Sequence, residues 1–247
     1  MKVGLFVPCY VDMFHPQTGI ATLELLERLG LSVEYPLEQT CCGQPMTNTG
    51  CSREAADTEA LFVRNFAKYD VIVTPSGSCT NQVRNNLTAI EQTEAVRHVR
   101  THTYELVEFL HDVLKVESFP WAAFPHKVAL HNNCNTLRNL RIASMSERRE
   151  TPFSKPRALL EKVRGIEFVE LARPDECCGF GGTFSVFEEG VSSKMGADKV
   201  RDQLRSGADY VTSSDSSCMM HQEGCARRMN ANMKYIHIAE ILNGAAA

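Results

Sequence analysis

The sequence predicts an α/β protein made of two similar Rossmann-like lobes, each built on a parallel sheet. The chain has 247 residues, which is enough for two lobes of about 120 residues each. Short apolar segments alternate with amphipathic helical segments, a pattern typical of parallel sheets covered by helices. The triplet Cys-Cys-Gly occurs twice, at residues 41–43 and 177–179. A rare triplet at two places indicates an internal duplication.

The elements of the first half follow in a regular order. Strands are predicted at residues 3–7, 32–36, 71–74 and 98–102. Between them we expect a helix that ends at Gly30, a helix capped by Ser52, and after the fourth strand a helix over Tyr104–Leu114. The first half is therefore predicted to run strand–helix four times.

Four landmarks of the first half recur in the same order in the second half. The matching pairs are Val3–Cys9 with Lys127–Cys134, Gly30–Tyr35 with Gly165–Glu170, Tyr69–Cys79 with Ala208–Cys218, and His102–Leu106 with His237–Ile241. We therefore expect a first lobe at 1–117, a linker at 118–126 and a second lobe at 127–247, related by pseudo-twofold symmetry.

In each half, four cysteines follow predicted strands. They are Cys9, Cys41, Cys42 and Cys79 in the first half and Cys134, Cys177, Cys178 and Cys218 in the second. Ligands of parallel sheets collect beyond the carboxyl ends of the strands, so each set is expected to converge. Four thiolates suit an iron–sulfur cluster or a tetrahedral zinc ion. Adjacent side chains diverge along an extended chain, which favours a cluster that offers each cysteine its own iron.

The composition narrows the class of protein. The formal charge of −4 offers no basic face for nucleic acid, and the longest apolar runs are too short to span a bilayer. Ten cysteines without an export signal indicate thiols that are kept reduced, so we expect a cytoplasmic protein whose cysteines are mostly ligands or redox groups.

The cysteine pattern resembles that of a known domain. A Cys, then Cys-Cys-Gly, then a later Cys, present twice, is similar to the cysteine-rich CCG domain found in heterodisulfide reductase and in the glycolate oxidase iron–sulfur subunit. Five stretches resemble the LutA/YkgE family more closely, and with them the similarity covers essentially the whole chain. They are Val11–Phe14, Cys41–Pro45, Pro75–Cys79, Cys177–Val186 and His237–Glu240.

This resemblance implies a function and its cofactors. It implies an oxidoreductase subunit that carries electrons through iron–sulfur clusters in a cytoplasmic complex oxidising L-lactate to pyruvate, with LutB-like and LutC-like subunits as partners. The eight cysteines would hold up to one cluster per lobe. The fuller CCG pattern ends in Cys-x-x-Cys, but Ser76 and Asp215 stand at the first of those positions here. Four-cysteine 4Fe-4S clusters are therefore expected in place of five-cysteine ones.

Three alternatives stay open at this point. The chain could serve a glycolate oxidase-type or a heterodisulfide reductase-type complex. Zinc could occupy one lobe. The third alternative is a function other than redox chemistry, in which zinc stabilises a scaffold that recruits partners.

Arg138 and Arg141 follow Cys134 closely and are the candidates for contact with the lactate carboxylate.

Several other residues have weaker signals. Cys51 and Cys225 lack counterparts in the other half and are predicted to be bystanders. His102 and His237 are expected to match each other, either donating to cluster sulfur or fixing the turn after the fourth strand. His131 precedes Cys134 by three residues, where the first half has Phe6, and is a further candidate for ligation or proton transfer.

The glycines after the second Cys-Cys pair do not fit a phosphate-binding loop. Gly179, Gly181 and Gly182 do not form the dinucleotide fingerprint, and no Walker lysine follows them. We expect these glycines to let the backbone pack closely against a cluster.

Overall fold

Each half of the chain forms a four-stranded parallel sheet, as the sequence predicts. The computed structural model describes residues 1–244, so Ala245–Ala247 of the expected second lobe lie outside the described residues. The strands of the first sheet are β1 (Lys2–Leu5), β2 (Ser32–Glu34), β3 (Val71–Thr74) and β4 (Thr103–Glu105). Those of the second sheet are β5 (Lys127–Leu130), β6 (Glu167–Val169), β7 (Tyr210–Ser213) and β8 (Lys234–His237).

Helices connect the strands of the first half. They are α1 (Cys9–Phe14), α2 (Pro16–Arg28), α3 (Gln44–Asn48), α4 (Ala56–Phe66), α5 (Gly77–Asn81), α6 (Glu94–His102) and α7 (Leu106–Glu108). A 3-10 turn at Arg53–Ala55 leads into α4, and π-helical segments at Gln82–Asn86 and Phe109–Val113 continue α5 and α7. Gly30, predicted to end a helix, has a φ of 82° and follows α2 closely.

The second half repeats this arrangement with longer final helices. A π-helical segment at Asn135–Leu140 follows β5. The helices are α8 (Lys155–Leu160), α9 (Phe184–Phe187), α10 (Glu189–Ser206), α11 (Ser216–Arg228) and α12 (Ile238–Asn243). Within the described part of the chain, no helix is both long and apolar enough to cross a membrane.

The two sheets share one topology. Their strand orders are β2-β1-β3-β4 and β6-β5-β7-β8, with every neighbouring pair parallel. In each sheet the order in which strands are added therefore reverses between the first and third strands, at β1 and β3 in the first half and at β5 and β7 in the second. Ligands of open parallel sheets bind beyond the carboxyl ends of the strands at such a point.

One apolar core joins the two halves. It combines α2 residues such as Leu25 with α12 residues such as Leu242, and it includes Phe119 and Phe124 of the segment between the sheets. Within that segment, expected as a linker, Phe119, Ala122 and Phe124 are buried, whereas the residues between them are exposed or half-buried. On the rim of this contact, the Thr18 hydroxyl donates to a Glu240 carboxylate oxygen at 2.9 Å.

Two local predictions for the first half are wrong. Residues 98–102 are the end of α6 and not a strand, because Val96 and Val99 are buried at helical spacing and Thr93 caps the helix. The fourth strand follows at Thr103–Glu105. Ser52 precedes the turn into α4 but makes no capping hydrogen bond.

Candidate metal centre

The cysteines of the first half lie where the strands of its sheet end. Cys9 begins α1 just after β1, and Cys79 lies in α5 just after β3. Cys41 and Cys42 occupy the loop between β2 and α3. The Sγ atoms of Cys9 and Cys41 are 3.8 Å apart, and those of Cys42 and Cys79 are 3.4 Å apart. The Cys41 and Cys42 thiols are also in contact, so the four form one group.

The second half assembles the same group from matching elements. Cys134 immediately precedes the π-helical segment after β5, and Cys218 lies in the first turn of α11 after β7. The thiol of Cys177 contacts those of Cys134 and Cys178, and Cys178 also contacts Cys218. The backbone N–H of Gly179 donates to Cys177 Sγ at 3.4 Å, as the N–H of the matching glycine does in the first half.

The divergence expected of adjacent cysteines does not occur. In both halves the two thiols of the Cys-Cys pair contact each other. Each pair lies in a loop, where the alternation of an extended strand does not apply. The adjacency of the cysteines therefore does not distinguish zinc from an iron–sulfur cluster.

Both groups open onto one cavity between the halves. Its volume is about 190 Å³, and its lining includes all eight cysteines predicted as ligands. The structure thus brings together the eight residues that the strand pattern placed at two separate rims. Soft thiolate ligands in this number favour zinc, copper(I) or iron–sulfur clusters over hard cations.

Hydrogen bonds within each group make one thiol acidic. The bonds from its two cysteine neighbours lower the pKa of Cys41 to about 3 and that of Cys177 to about 2. Bonds with Cys41 and Cys79 hold the pKa of Cys42 well above its usual range, bonds with Cys177 and Cys218 do the same for Cys178, and burial adds to both shifts. Each half therefore offers one ready thiolate, and full ligation by a metal must release the remaining protons.

A polar contact between the halves forms the floor of the cavity. Asp215 is 1% exposed, and its Oδ2 atom accepts from Ser76 Oγ at 3.1 Å and from the Ser78 backbone N–H at 3.0 Å. Its Oδ1 atom accepts from the N–H and hydroxyl of Ser217 at 3.2 and 2.5 Å. The two positions that depart from the fuller CCG pattern thus bind each other across the two halves. Because both oxygens already accept hydrogen bonds, this carboxylate is poorly placed for metal ligation.

His131 belongs to the second group of cysteines. It is 1% exposed, and neither ring nitrogen has a hydrogen-bond partner among the described residues. One ring nitrogen and the Sγ atoms of Cys178 and Cys218 all lie within 4.8 Å of one another. Burial is the first cause that lowers the pKa of this imidazole, to about 3. His131 is therefore a neutral ring beside the thiols.

The proposed match between His102 and His237 is wrong. His237 pairs with Ser213 at the end of β8 and accepts from the Ala239 N–H as the cap of α12. Glu105 occupies the equivalent place in the first half, where it pairs with Thr74 and caps α7. His102 ends α6 instead, because the predicted fourth strand is helical there.

The remaining candidates lie away from the cavity. Cys51 is exposed, and Cys225 Sγ lies 3.9 Å from Nε2 of His221. Arg138 pairs with Glu147 at 2.6 Å. Neither it nor Arg141 contributes to the cavity lining. The geometry thus gives the two arginines no contact with a ligand held by the cysteines.

Glycines shape the second cysteine loop through contacts other than the expected packing against a cluster. Gly179 has a φ of 89°, and a Cβ atom there would lie 2.6 Å from Met195 Cβ and 2.8 Å from the Ser192 carbonyl oxygen. Gly181 and Gly182 line the cavity and also have positive φ values. Gly179 therefore lets the loop that carries Cys177 and Cys178 pack closely against α10, and the close contact is with that helix and not with the cysteine sulfurs.

An aromatic pair at the cavity is a feature that sequence reasoning missed. Tyr10 and Phe180 both line it, and their rings meet edge to face with centroids 5.5 Å apart. Each residue lies next to a cysteine loop, but no spacing rule connects positions in different halves. Their position close to a cysteine motif was the available signal.

The residues fit a thiolate-bound metal centre in each half. Each group supplies four thiols, the backbone supplies N–H donors to sulfur, and the second group adds a buried imidazole without a partner among the described residues. The clustered cysteines indicate metal binding. The donor set is compatible with an iron–sulfur cluster and with zinc.

Comparisons with known proteins agree with this duplicated architecture. The cysteine-rich domain (CCG) family model matches residues 3–84 and 128–223. The proteins named "Lactate utilization protein A" from Geobacillus kaustophilus (strain HTA426) and Bacillus subtilis (strain 168) are each 39% identical, with 98% of this chain and 99% of the relative covered.

A solved structure supports the fold alone. The crystal structure of a hypothetical protein from Helicobacter pylori matches with a TM-score of 0.59 and 13% identity, over 98% of this chain and 48% of that chain. The cysteine groups, the two family-model matches and the full-length similarity lead to one assignment. The chain belongs to the lactate utilization protein A (LutA/YkgE) family of duplicated cysteine-rich domain proteins.

Proposed function

We propose that this protein is the iron–sulfur electron-transfer subunit of a cytoplasmic complex that oxidises L-lactate to pyruvate. The observation that carries the proposal is the convergence of two four-thiol groups on one cavity. It occurs in a chain that is similar over its whole length to proteins named for lactate utilization.

The cofactor assignment follows from the chemistry of the reaction. Oxidation of lactate to pyruvate releases two electrons and two protons, and these electrons need a carrier. A 4Fe-4S cluster bound by four cysteines accepts and releases single electrons. The residues assigned to the first cluster are Cys9, Cys41, Cys42 and Cys79, and those assigned to the second are Cys134, Cys177, Cys178 and Cys218.

The chain itself positions both centres around one cavity. The apolar core between α2 and α12 holds the sheets together on one side. The Ser76–Asp215 hydrogen bond joins the two cysteine-bearing rims on the other. Electron transfer between two centres requires such a fixed separation, which two independently moving lobes would not provide.

Exposed apolar side chains near the cavity support docking of partner subunits. Val186 lines the cavity and is 74% exposed, and Phe187 beside it is 73% exposed. Phe14 is 54% exposed, and its ring lies 5.8 Å from that of the cavity-lining Tyr10. Large exposed apolar residues grouped at a functional opening are typical of interaction surfaces. LutB-like and LutC-like subunits are the partners we assign to this surface.

Lactate oxidation itself is assigned to a partner subunit. Arg138 pairs with Glu147, and neither it nor Arg141, the other candidate for contact with the lactate carboxylate, lines the cavity. The role we assign to this chain is therefore the transfer of electrons after oxidation of the substrate.

One observation favours a second candidate, a zinc-stabilised scaffold without a redox role. Four sulfurs around zinc at bond lengths of about 2.3 Å lie about 3.8 Å from one another. The distance between Cys9 Sγ and Cys41 Sγ is 3.8 Å. A scaffold would use the same cysteines to join loops and would recruit partners through the same exposed surface.

Electron transfer is tested with the purified chain and its LutB-like and LutC-like partners without oxygen. L-Lactate should produce the electron paramagnetic resonance signal of reduced clusters in this chain. A Cys41→Ser/Cys177→Ser double variant should lose that signal, whereas the matched control Cys51→Ser should keep it. Unreduced clusters after lactate addition, in a complex that still forms pyruvate with an added dye, would contradict the proposal.

A further inference from the structure

The two cysteine groups are backed by different side chains at the same place in the fold. Phe6 follows β1, and its N–H donates to the Val73 carbonyl at 2.9 Å. His131 follows β5, and its N–H donates to the Thr212 carbonyl at 2.8 Å. The two residues are therefore structural counterparts, three residues before the first cysteine of each half.

In the first half this place is apolar. The Phe6 ring packs edge to face on Phe62 and Phe66, with centroid distances of 4.9 and 5.6 Å. Cys42 and Cys79 belong to the same apolar cluster. These three rings offer a metal centre neither a hydrogen-bond donor nor a positive charge, so added negative charge is poorly stabilised on this side.

In the second half the place is polar. His131 has no hydrogen-bond partner among the described residues, and a ring nitrogen lies within 4.8 Å of Cys178 Sγ and Cys218 Sγ. A neutral imidazole always carries one N–H donor. The four cysteines match the set of the first half, where Phe6 stands in place of the histidine, so the ring is not needed as a ligand. Its remaining role is to donate to sulfur.

A buried lysine strengthens the difference. The buried residues of α4 and α10 follow the same spacing. When the two helices are aligned on these residues, Lys199 stands at the position of Phe62. Lys199 is fully buried, and its ammonium donates to the Arg173 carbonyl at 2.8 Å. It lies close enough to Cys178 and to His131 for its charge to act on both.

Three carboxylates oppose this effect: Asp202 and Glu176, which act on Lys199, and Asp215, which lies beside the cysteines. The Asp215 carboxylate acts on Cys134 and Cys218 and disfavours further negative charge there. However, it accepts four hydrogen bonds, from Ser76, Ser78 and twice from Ser217, which spread and stabilise its charge. At the two positions that Phe6 and Phe62 occupy, the first half has neither a cation nor an N–H donor, and this difference favours the second-half centre.

We propose that His131 and Lys199 give the second-half centre a higher reduction potential than the first-half centre, so that it is the electron acceptor of the two. The inference rests on the proposed function. With both centres loaded, one electron would pass from the first centre to the second, and no bond would form or break. His131 and Lys199 act through the cysteine sulfurs and are positioning residues.

The test is a redox titration of the full chain with dithionite, followed by electron paramagnetic resonance. Variants Cys41→Ser/Cys42→Ser and Cys177→Ser/Cys178→Ser assign the signals to the two halves. The second-half centre should be favoured at least tenfold at equilibrium, which is about 59 mV for one electron. His131→Phe, which places the first-half residue in the second half, should remove most of this preference.

Two further variants keep the result decisive. Lys199→Met should lower the second-half potential even if His131→Phe fails to hold a cluster, and the matched control Phe6→Leu should leave that potential unchanged. Equal potentials in the two halves, or an unchanged second-half potential in loaded His131→Phe and Lys199→Met proteins, would overturn the inference while leaving the electron carrier intact. Wild-type protein without iron and sulfide would overturn the proposed function itself, and the inference with it.

Discussion

Replacing Asp215 with asparagine should destabilise the protein although the two side chains have the same shape. The Ser78 N–H donates to one carboxylate oxygen and the Ser217 N–H to the other. An asparagine has a single carbonyl oxygen, so one of these backbone donors must face an NH₂ group in a buried place. Hydroxyl groups can rotate to accept from the amide, but a backbone N–H cannot.

The magnitude follows from the hydrogen bonds that change. A buried donor without an acceptor costs about 1–3 kcal/mol, and the bonds that remain lose the contribution of the charge. Asp215 is 1% exposed, and burying a neutral amide costs less free energy than burying a carboxylate, which offsets part of this loss. We expect Asp215→Asn to lower the free energy of unfolding by about 2–3 kcal/mol.

Urea denaturation under reducing conditions, with the metal content of all proteins matched, measures this loss. Ser217→Ala is the matched control, because it removes one hydroxyl donor and leaves both backbone N–H groups on the carboxylate. It should cost about 1 kcal/mol. A change below about 0.5 kcal/mol in Asp215→Asn, or an equal loss in both variants, would refute the assigned hydrogen bonds.

Three further predictions concern single positions. Gly179→Ala should lower the free energy of unfolding by at least about 1 kcal/mol in the same assay, because its φ is positive and other atoms occupy the place of a Cβ. The control Gly190→Ala, at an open helical position, should be neutral or stabilising. Similar losses in both variants would contradict the steric argument. Burial raises the pKa of Glu105 from 4.5 to about 8, so between these pH values the unfolded state loses a proton that the folded state keeps, and stability falls as pH rises. Glu105→Gln should remove this slope, which is at most about 1.4 kcal/mol per pH unit, and an unchanged pH profile would show that the carboxyl is not the cause. Finally, Cys51→Ser and Cys225→Ser should keep the wild-type metal content on elemental analysis, whereas loss of metal in either would add that cysteine to the ligands.

Much of the architecture was predictable because the chain carries it twice. Two Cys-Cys-Gly triplets indicated the duplication, and the rule that parallel strands end at one edge placed four cysteines per half. The wrong fourth strand in the first half arose because residues 98–102 contain a single apolar residue, Val99, which suits a strand or a helix equally; the cap at Thr93 decides for the helix. That error also produced the wrong match of His102 with His237.

The relations between the halves could not be predicted from the sequence. Nothing in the local pattern shows that Ser76 and Asp215 bind each other, because 139 residues separate them and their contact depends on how the two sheets pack. The burial of Phe119 and Phe124 was not predicted either, because the prolines beside them are typical of a linker. Their burial also depends on how the two sheets pack. The contrast between Phe6 and His131 was visible in the aligned halves, but its chemistry required the buried surroundings of each residue.

Iron and acid-labile sulfide content, measured on protein purified without oxygen, tests the central claim most directly. We predict iron and sulfide in near-equal amounts together with an electron paramagnetic resonance signal after reduction. The Cys41→Ser/Cys177→Ser double variant should lose all three. Zinc without sulfide, even after attempted cluster reconstitution, would contradict the electron-transfer function and leave a zinc-stabilised scaffold as the role of the two cysteine groups.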